Sequence, residues 1–206
     1  MRHLSLVLFS VLLPLVAVAA KAADSAGTTP LYVTLEREPV QFVEPHYRAY
    51  VSAESNRFAF RVPAGYRLSG DPASGTLTLA NRDGNGSITL AVWGPLPSDG
   101  AKLSPDTFRD PLLRDHPNAV ITQEVWRDNA GGGGPGFDLQ WKATEQLVAC
   151  KRVVYVSSAA GVIRFTVTGS RATFPGLQGD LDSVILSLQT TTNGSKPKIP
   201  PMADRS

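Results

Sequence analysis

Residues 150–189, CKRVVYVSSAAGVIRFTVTGSRATFPGLQGDLDSVILSLQ, read as a β-hairpin followed at once by the helix that covers it. The two strand runs are Val148–Ser157 (VACKRVVYVS) and Gly161–Gly169 (GVIRFTVTG), both rich in β-branched and aromatic residues, with Ala159, Ala160 and Gly161 as the turn. In the second run Ile163, Phe165 and Val167 share one face, and Arg164, Thr166 and Thr168 share the other. That period of two is the pattern of a strand with one buried face. Phe174, Leu177, Leu181, Val184, Ile185 and Leu188 then recur at steps of three and four, so an α-helix puts them on one side and leaves Gln178, Asp180, Asp182 and Gln189 elsewhere. The apolar face of the hairpin and the apolar stripe of the helix cover each other.

Upstream, Arg57–Val62 (RFAFRV) alternates cleanly and stops at Pro63-Ala64-Gly65-Tyr66, a strand followed by a turn. Thr76–Ala80 and Ser87–Trp93 are two more strands, joined tightly through Asn81–Gly86. Ser104-Pro105 marks a helix start, with Ser as N-cap and Pro at the first helical position, and Phe108, Leu112 and Leu113 form its apolar side. Pro111 is expected to kink or split this helix, which should end near His116 to Asn118. Val120–Trp126 and Phe137–Trp141 alternate again as a hairpin, with Gly131–Gly136 as a flexible tip. Three strands, a helix, four strands and a last helix, mostly hairpin-linked, imply an α+β domain in which helices cover an antiparallel β-sheet. Its expected extent is residues 57–190. Residues 23–56, broken by Pro30, Pro39 and Pro45, read as an irregular extension with at most a short strand at Leu31–Leu35, and residues 191–206 read as a disordered tail.

The FAFRVPAGY segment, Phe58–Tyr66, resembles the aromatic-x-aromatic-x-Val-Pro-x-Gly-aromatic opening of the PsbP-like superfamily. That superfamily includes DcrB-type bacterial periplasmic proteins and Ran-binding nuclear import factors of similar fold. The order of elements also matches, and LDSVILSLQ, Leu181–Gln189, looks like the last helix of the family. The resemblance covers about residues 57–189. It implies an α/β/α sandwich around an antiparallel sheet and a role in binding or stabilising other proteins, and it brings no shared catalytic residues.

The chain begins Met1-Arg2-His3 and continues with an apolar run from Leu4 to Val18, then small residues at Ala17-Val18-Ala19 and Ala20-Lys21-Ala22. Residues 1–22 therefore read as a secretory signal peptide. As a membrane anchor the run falls short, because about 15 apolar residues interrupted by Pro14 do not reach the roughly 20 that a spanning helix needs. Cleavage after Ala22 removes Arg2 and Lys21 and no acid, so Lys+Arg falls from 20 to 18 against 18 Asp+Glu. A formally neutral mature chain loses the cationic excess on which nucleic-acid binding rests. Cys150 is the only cysteine, so no intramolecular disulfide can form. Inside a strand it reads as a small buried apolar residue.

Little in the sequence points to bond-making chemistry. Only His46 and His116 remain after processing, with no HExxH and no Cys/His cluster, so neither a metal nor another cofactor is expected. Asp115-His116 is the nearest approach to an acid and base pair, and it reads more simply as a polar helix end. No G-x-S-x-G occurs, and the Gly131 segment lacks the Gly-Lys-Ser/Thr ending of a phosphate loop. Asn81-x-Asp83-x-Asn85-Gly86 copies the start of a calcium loop, yet its twelfth position is Val92 and the bidentate acid is missing. Trp93, Trp126 and Trp141 with Arg152 and Arg164 could line a partner surface or simply close the core.

The expectation is an exported, periplasmic or secreted, non-catalytic protein that binds another envelope protein. Phe42, Tyr47 and Tyr50 are the candidate partner-binding residues, since three aromatics on a segment without its own core either pack on their own domain or dock elsewhere. The alternative is a carrier of a small ligand or lipid, with a pocket between sheet and helix.

Overall fold

The computed structural model describes residues 31–38, 47–53, 56–71, 74–95, 103–129, 132–158 and 161–191. The signal segment, Phe42, His46 and the tail from residue 192 lie outside these. Two antiparallel sheets organise the chain. The larger has seven strands in the order β4-β5-β6-β10-β9-β8-β7: β4 (Tyr66–Asp71), β5 (Thr76–Asn81), β6 (Ser87–Gly94), β10 (Gly161–Ser170), β9 (Val148–Ser158), β8 (Gly132–Lys142) and β7 (Val120–Asn129). The smaller has four, β1 (Leu31–Arg37), β2 (Tyr47–Ala53), β3 (Asn56–Val62) and β11 (Gln189–Thr191), in the order β1-β2-β3-β11. Helix α1 (Pro105–Asp115) and helix α2 (Phe174–Leu186) lie on opposite faces of the larger sheet.

Alternation along β9 and β10 explains this layering. Cys150, Val154 and Val156 face one way with Ile163, Phe165 and Val167, into a core shared with α2 and with Phe58, Phe60 and Val51 of the smaller sheet. Val153 and Tyr155 face the other way, into a second core closed by Phe108 and Leu112 of α1 with Phe137 and Leu139 of β8. The α2 stripe is buried at Phe174, Leu177, Leu181, Val184 and Ile185, the residues that the periodicity marks. Leu177 seats against Gly86 and Gly169, where an added Cβ would come within 2.6 Å and 2.5 Å of its methyl carbons. The fold is thus α+β, mostly antiparallel sheet with two helices packed on it.

Several expectations need correction. Residues 23–56 do not form a wholly irregular extension: β1 and β2 lie within them, and Leu31, Ala49 and Val51 belong to the main core. A boundary at residue 57 would cut the smaller sheet between paired strands, since Ser52 pairs with Arg57 and Tyr50 with Ala59. The hidden signal is alternation in YRAYVSA, where Ala49 and Val51 are buried between more exposed neighbours. β4, read from sequence only as the end of a turn, pairs with β5 from Tyr66↔Asn81 to Asp71↔Thr76. The turn before it is real: the Tyr66 amide donates to the Pro63 carbonyl at 3.2 Å, and Gly65 takes a φ of 79°. Ser104 is extended ahead of α1 but makes no side-chain cap, and Pro111 does not stop the helix, which continues to Asp115.

The glycine segment differs most. β7 runs on to Asn129 and β8 starts at Gly132, so Gly132–Gly136 are strand residues paired to β7, from Val125↔Gly136 to Asn129↔Gly132. Backbone proximity is the reason for the glycines. A Cβ on Gly134 would overlap the Tyr155 carbonyl oxygen of β9, and one on Gly136 would sit 2.8 Å from a Val125 methyl carbon.

Even positions of β8 and β9 carry a buried ion network toward α2. Arg152 donates through Nε and Nη2 to the two carboxylate oxygens of Asp138 at 2.6 Å and 2.8 Å, and Gln178 donates to Asp138 Oδ2 at 2.9 Å. Arg127 of β7 forks onto Asp182 of α2 at 2.7 Å and 3.0 Å, and that carboxylate also lies 3.7 Å from Arg152. The network joins three strands to the helix, and its charges are paired as buried charges must be.

Candidate functional site

The core reaches β1 only at Leu31, and the rest of the strand projects past it. Val33 pairs with Val51 and Leu35 with Ala49, so all four point to the core side of the smaller sheet, yet only the β2 residues are buried. Val33 is 38% exposed, Leu35 48% and Tyr47, on the same side of β2, 41%. Alternation sends Tyr32, Thr34 and Glu36 to the opposite side, where Tyr32 is 65% exposed. On that outer side Thr34, Glu36, Tyr50, Ser52 and Arg57 line an open groove of about 290 Å³. Beyond β1, no described strand pairs with its free edge. The run Leu31–Leu35, LYVTL, carries no charge, and charges begin only at Glu36 and Arg37.

The strand is anchored at its far end. Glu38 accepts from Arg48 Nε at 2.8 Å and from Arg61 Nε at 3.1 Å, and Arg48 donates onward to the Gln189 side chain at 3.2 Å. Burial pushes the Glu38 carboxyl up, but hydrogen bonding from Arg48 and the charges of Arg61 and Arg48 outweigh it, holding the acid below its ordinary range. β1 is thereby held in place while Tyr32, Val33 and Leu35 stay exposed.

Of the aromatic residues singled out from sequence, Tyr47 lies on the core-side overhang and Tyr50 on the outer groove, while Phe42 falls outside the described residues. Odd and even positions of one strand cannot share a face, so the two tyrosines do not form one patch. Tyr32, Val33 and Leu35 were missed. Their signal is the uncharged, β-forming run itself, which composition around three prolines obscured.

A second cluster lies on the outer face of the larger sheet, beside the C-terminal end of α1. Lys151 Nζ is 2.9 Å from His116 Nε2, and the His116 ring stacks on Trp141 at 5.9 Å with planes 9° apart. Lys151 Nζ lies 6.0 Å from the Trp141 ring centre, and the Arg164 guanidinium sits 4.6 Å over Trp93. Tyr155 is held between Trp93, edge-on at 5.5 Å, and Phe108, stacked at 4.1 Å. The five Trp and Arg residues grouped from sequence therefore separate. Arg152 faces α2, and Trp126 on edge strand β7 is exposed and donates to Asp128 at 2.7 Å. His116 is the helix C-cap, as a polar helix end would be, but its ring is engaged by a residue 35 positions away.

Burial first, then the charge of Lys151 and that of Arg164, lower the His116 pKa from 6.5, with Asp115 opposing. The unfolded chain therefore takes up this proton before the folded one. The contribution of His116 to stability is present above pH 6.5 and is lost as pH falls through the folded value. The His116 Cε1 proton resonance should titrate with a midpoint below 6.5, and a midpoint at or above it would contradict the packing described.

Other sequence motifs resolve as structure. Cys150 is buried in the main core, and burial pushes its thiol up, away from the reactive thiolate. Asn81 uses its side-chain oxygen to accept from the Asp83 amide at 2.9 Å, closing a local turn. Among the described residues no helix is long and apolar enough to cross a membrane.

No protein-family model matches the chain, and no curated protein matches it. Among solved structures it is similar to the solution structure of cyanobacterial PsbP (CyanoP) from Synechocystis sp. PCC 6803, with a TM-score of 0.49 at 11% identity over 82% of this chain and 98% of that one. It is also similar to the Saccharomyces cerevisiae Ran-binding protein Mog1p, with a TM-score of 0.43 at 10% identity over 66% of this chain and 90% of that one.

Proposed function

We propose that the chain is an exported, non-catalytic binding or accessory protein of the cell envelope, and that an extended segment of a partner protein docks along β1 as an added strand. The observation that carries this reading is β1 itself: an edge strand with an uncharged run, exposed apolar residues on both faces and no described strand paired on its free side. Such an edge offers backbone donors and acceptors in register, and natural proteins ordinarily blunt it with charge, proline or a bulge. Where it is left open, strand addition supplies main-chain hydrogen bonds, and alternate side chains supply selectivity. Tyr32 would select on the outer side, Val33, Leu35 and Tyr47 on the core side.

The carrier reading needs room between sheet and helix. Where α2 crosses β6 and β10, Leu177 already fills the space against Gly86 and Gly169. Export is supported by the leader pattern in residues 1–22.

The test uses the full chain, tagged at its C-terminus and expressed with its own leader. Processing near residue 22 and recovery in the envelope fraction are expected; an unprocessed cytoplasmic product would contradict export. Capture from that fraction by the wild type should yield a specific protein whose recovery drops about tenfold or more with Tyr32→Ser plus Leu35→Ser. Equal recovery by the folded variant would remove β1 as the docking strand.

A further inference from the structure

We infer that the outer face of the larger sheet, between β6 and the C-terminal end of α1, holds a binding site for a small oxyanion whose phosphate or carboxylate group is taken by Arg164 and Lys151. The inference is independent of docking along β1, which lies on the other sheet.

Charge pairing provides the argument. Arg48, Arg61, Arg109, Arg127 and Arg152 each have a carboxylate partner within ion-pair distance. Among the described residues, Arg164 and Lys151 have none, although both are half-buried. The Lys151 ammonium, 6.0 Å from the Trp141 centre, has N–H donors beyond the one that meets His116, and the Arg164 guanidinium sits over Trp93, which keeps its edge donors free for an anion. Tyr155, the cross-strand neighbour of Arg164, takes one of those donors. Asp115 is exposed and acts on Lys151 from beyond pairing distance, and Glu124, on the same face, is taken by Arg109. Two partly desolvated cations facing one exposed acid leave a local positive excess that an anionic ligand would neutralise.

The strand register sets the two cations on either side of a hydroxyl platform. Arg164, Thr166 and Thr168 alternate onto one face of β10; Lys151 lies directly across from Thr168, and Thr89 of β6 directly across from Thr166. Arg164 and Thr168 are about 13 Å apart along the strand, a span that two long side chains can close over the threonines. Hydroxyls there can donate to the same oxyanion. His116, held by Lys151 at the rim, reports on the site.

The probes are sodium phosphate and sodium citrate, titrated at constant ionic strength against sodium chloride. Tryptophan fluorescence of the mature protein should change saturably with phosphate, citrate or both, since Trp93 and Trp141 hold the two cations. In the wild type the His116 Cε1 resonance should shift along the same isotherm. Arg164→Gln and Lys151→Gln should each weaken binding about tenfold or more, and Arg82→Gln, in the exposed β5–β6 turn, should leave it unchanged. Phosphate saturating alone would assign the group as phosphate; citrate alone, as carboxylate. A response matched by chloride, the absence of a saturable response to both probes, or an unmoved His116 resonance at saturation would overturn the inference without reference to any variant.

Discussion

Replacing Asp138 with alanine should lower the unfolding free energy by about 3–5 kcal/mol, because it leaves the Arg152 guanidinium buried without the carboxylate that both its donors address. Asp182 stands 3.7 Å from Arg152 and is already engaged by Arg127, so it offsets only part of the loss. Gln178 also loses its acceptor, which loosens the junction between α2 and β8. The pair itself need not stabilise the fold. Asp138→Leu with Arg152→Met removes both charges together and should recover most of the stability, since an apolar pair has no desolvation cost to offset. Denaturant unfolding followed by circular dichroism measures both. A loss below about 1 kcal/mol in the single variant would show that water reaches the pair.

The second large effect concerns glycine. Gly134→Ala should cost about 3 kcal/mol or more, because its Cβ would overlap the Tyr155 carbonyl oxygen and lie 3.1 Å from a Leu103 methyl carbon. Relief requires β8 and β9 to separate where they flank the α1 core. Gly176→Ala is the contrast: nothing lies within 4 Å of its Cβ in α2, and alanine is the better helix former by up to about 1 kcal/mol. Thermal unfolding should therefore move in opposite directions for the two substitutions. A harmless Gly134→Ala would return the segment to the flexible tip that its composition suggests.

That contrast shows where sequence reading stops. The hairpin β9–β10 and helix α2 were legible because each buries one face and so carries an unbroken period, visible in Ile163, Phe165 and Val167 and then in Leu177, Leu181 and Val184. β1 lacks such a pattern because most of it is exposed on both faces, and β2 is a short strand in a segment crowded with prolines, so their pairing with β3 leaves a weak local trace. For Gly132–Gly136 the reason for glycine sits on other strands, in Tyr155 and Val125, and composition alone suggests a loop. The same holds for the second cluster. His116 and Lys151 meet only because α1 ends over β9, and Arg152, adjacent to Lys151 in sequence, faces the opposite core. Residue types were readable; which side of the sheet each occupies needed the register.

Docking along β1 is tested most directly by placing a photoreactive amino acid at position 32, 35 or 166 of the tagged full-length chain and irradiating cells in which it is exported. Position 166 lies on the outer face of the larger sheet and serves as the reference. Strand addition to β1 predicts one discrete crosslinked species, with the same partner, from both 32 and 35 and not from 166, because the two β1 positions flank the added strand on its opposite faces. Absence of a crosslink from 32 and 35 in processed, folded protein, or an identical pattern from 166, would contradict it.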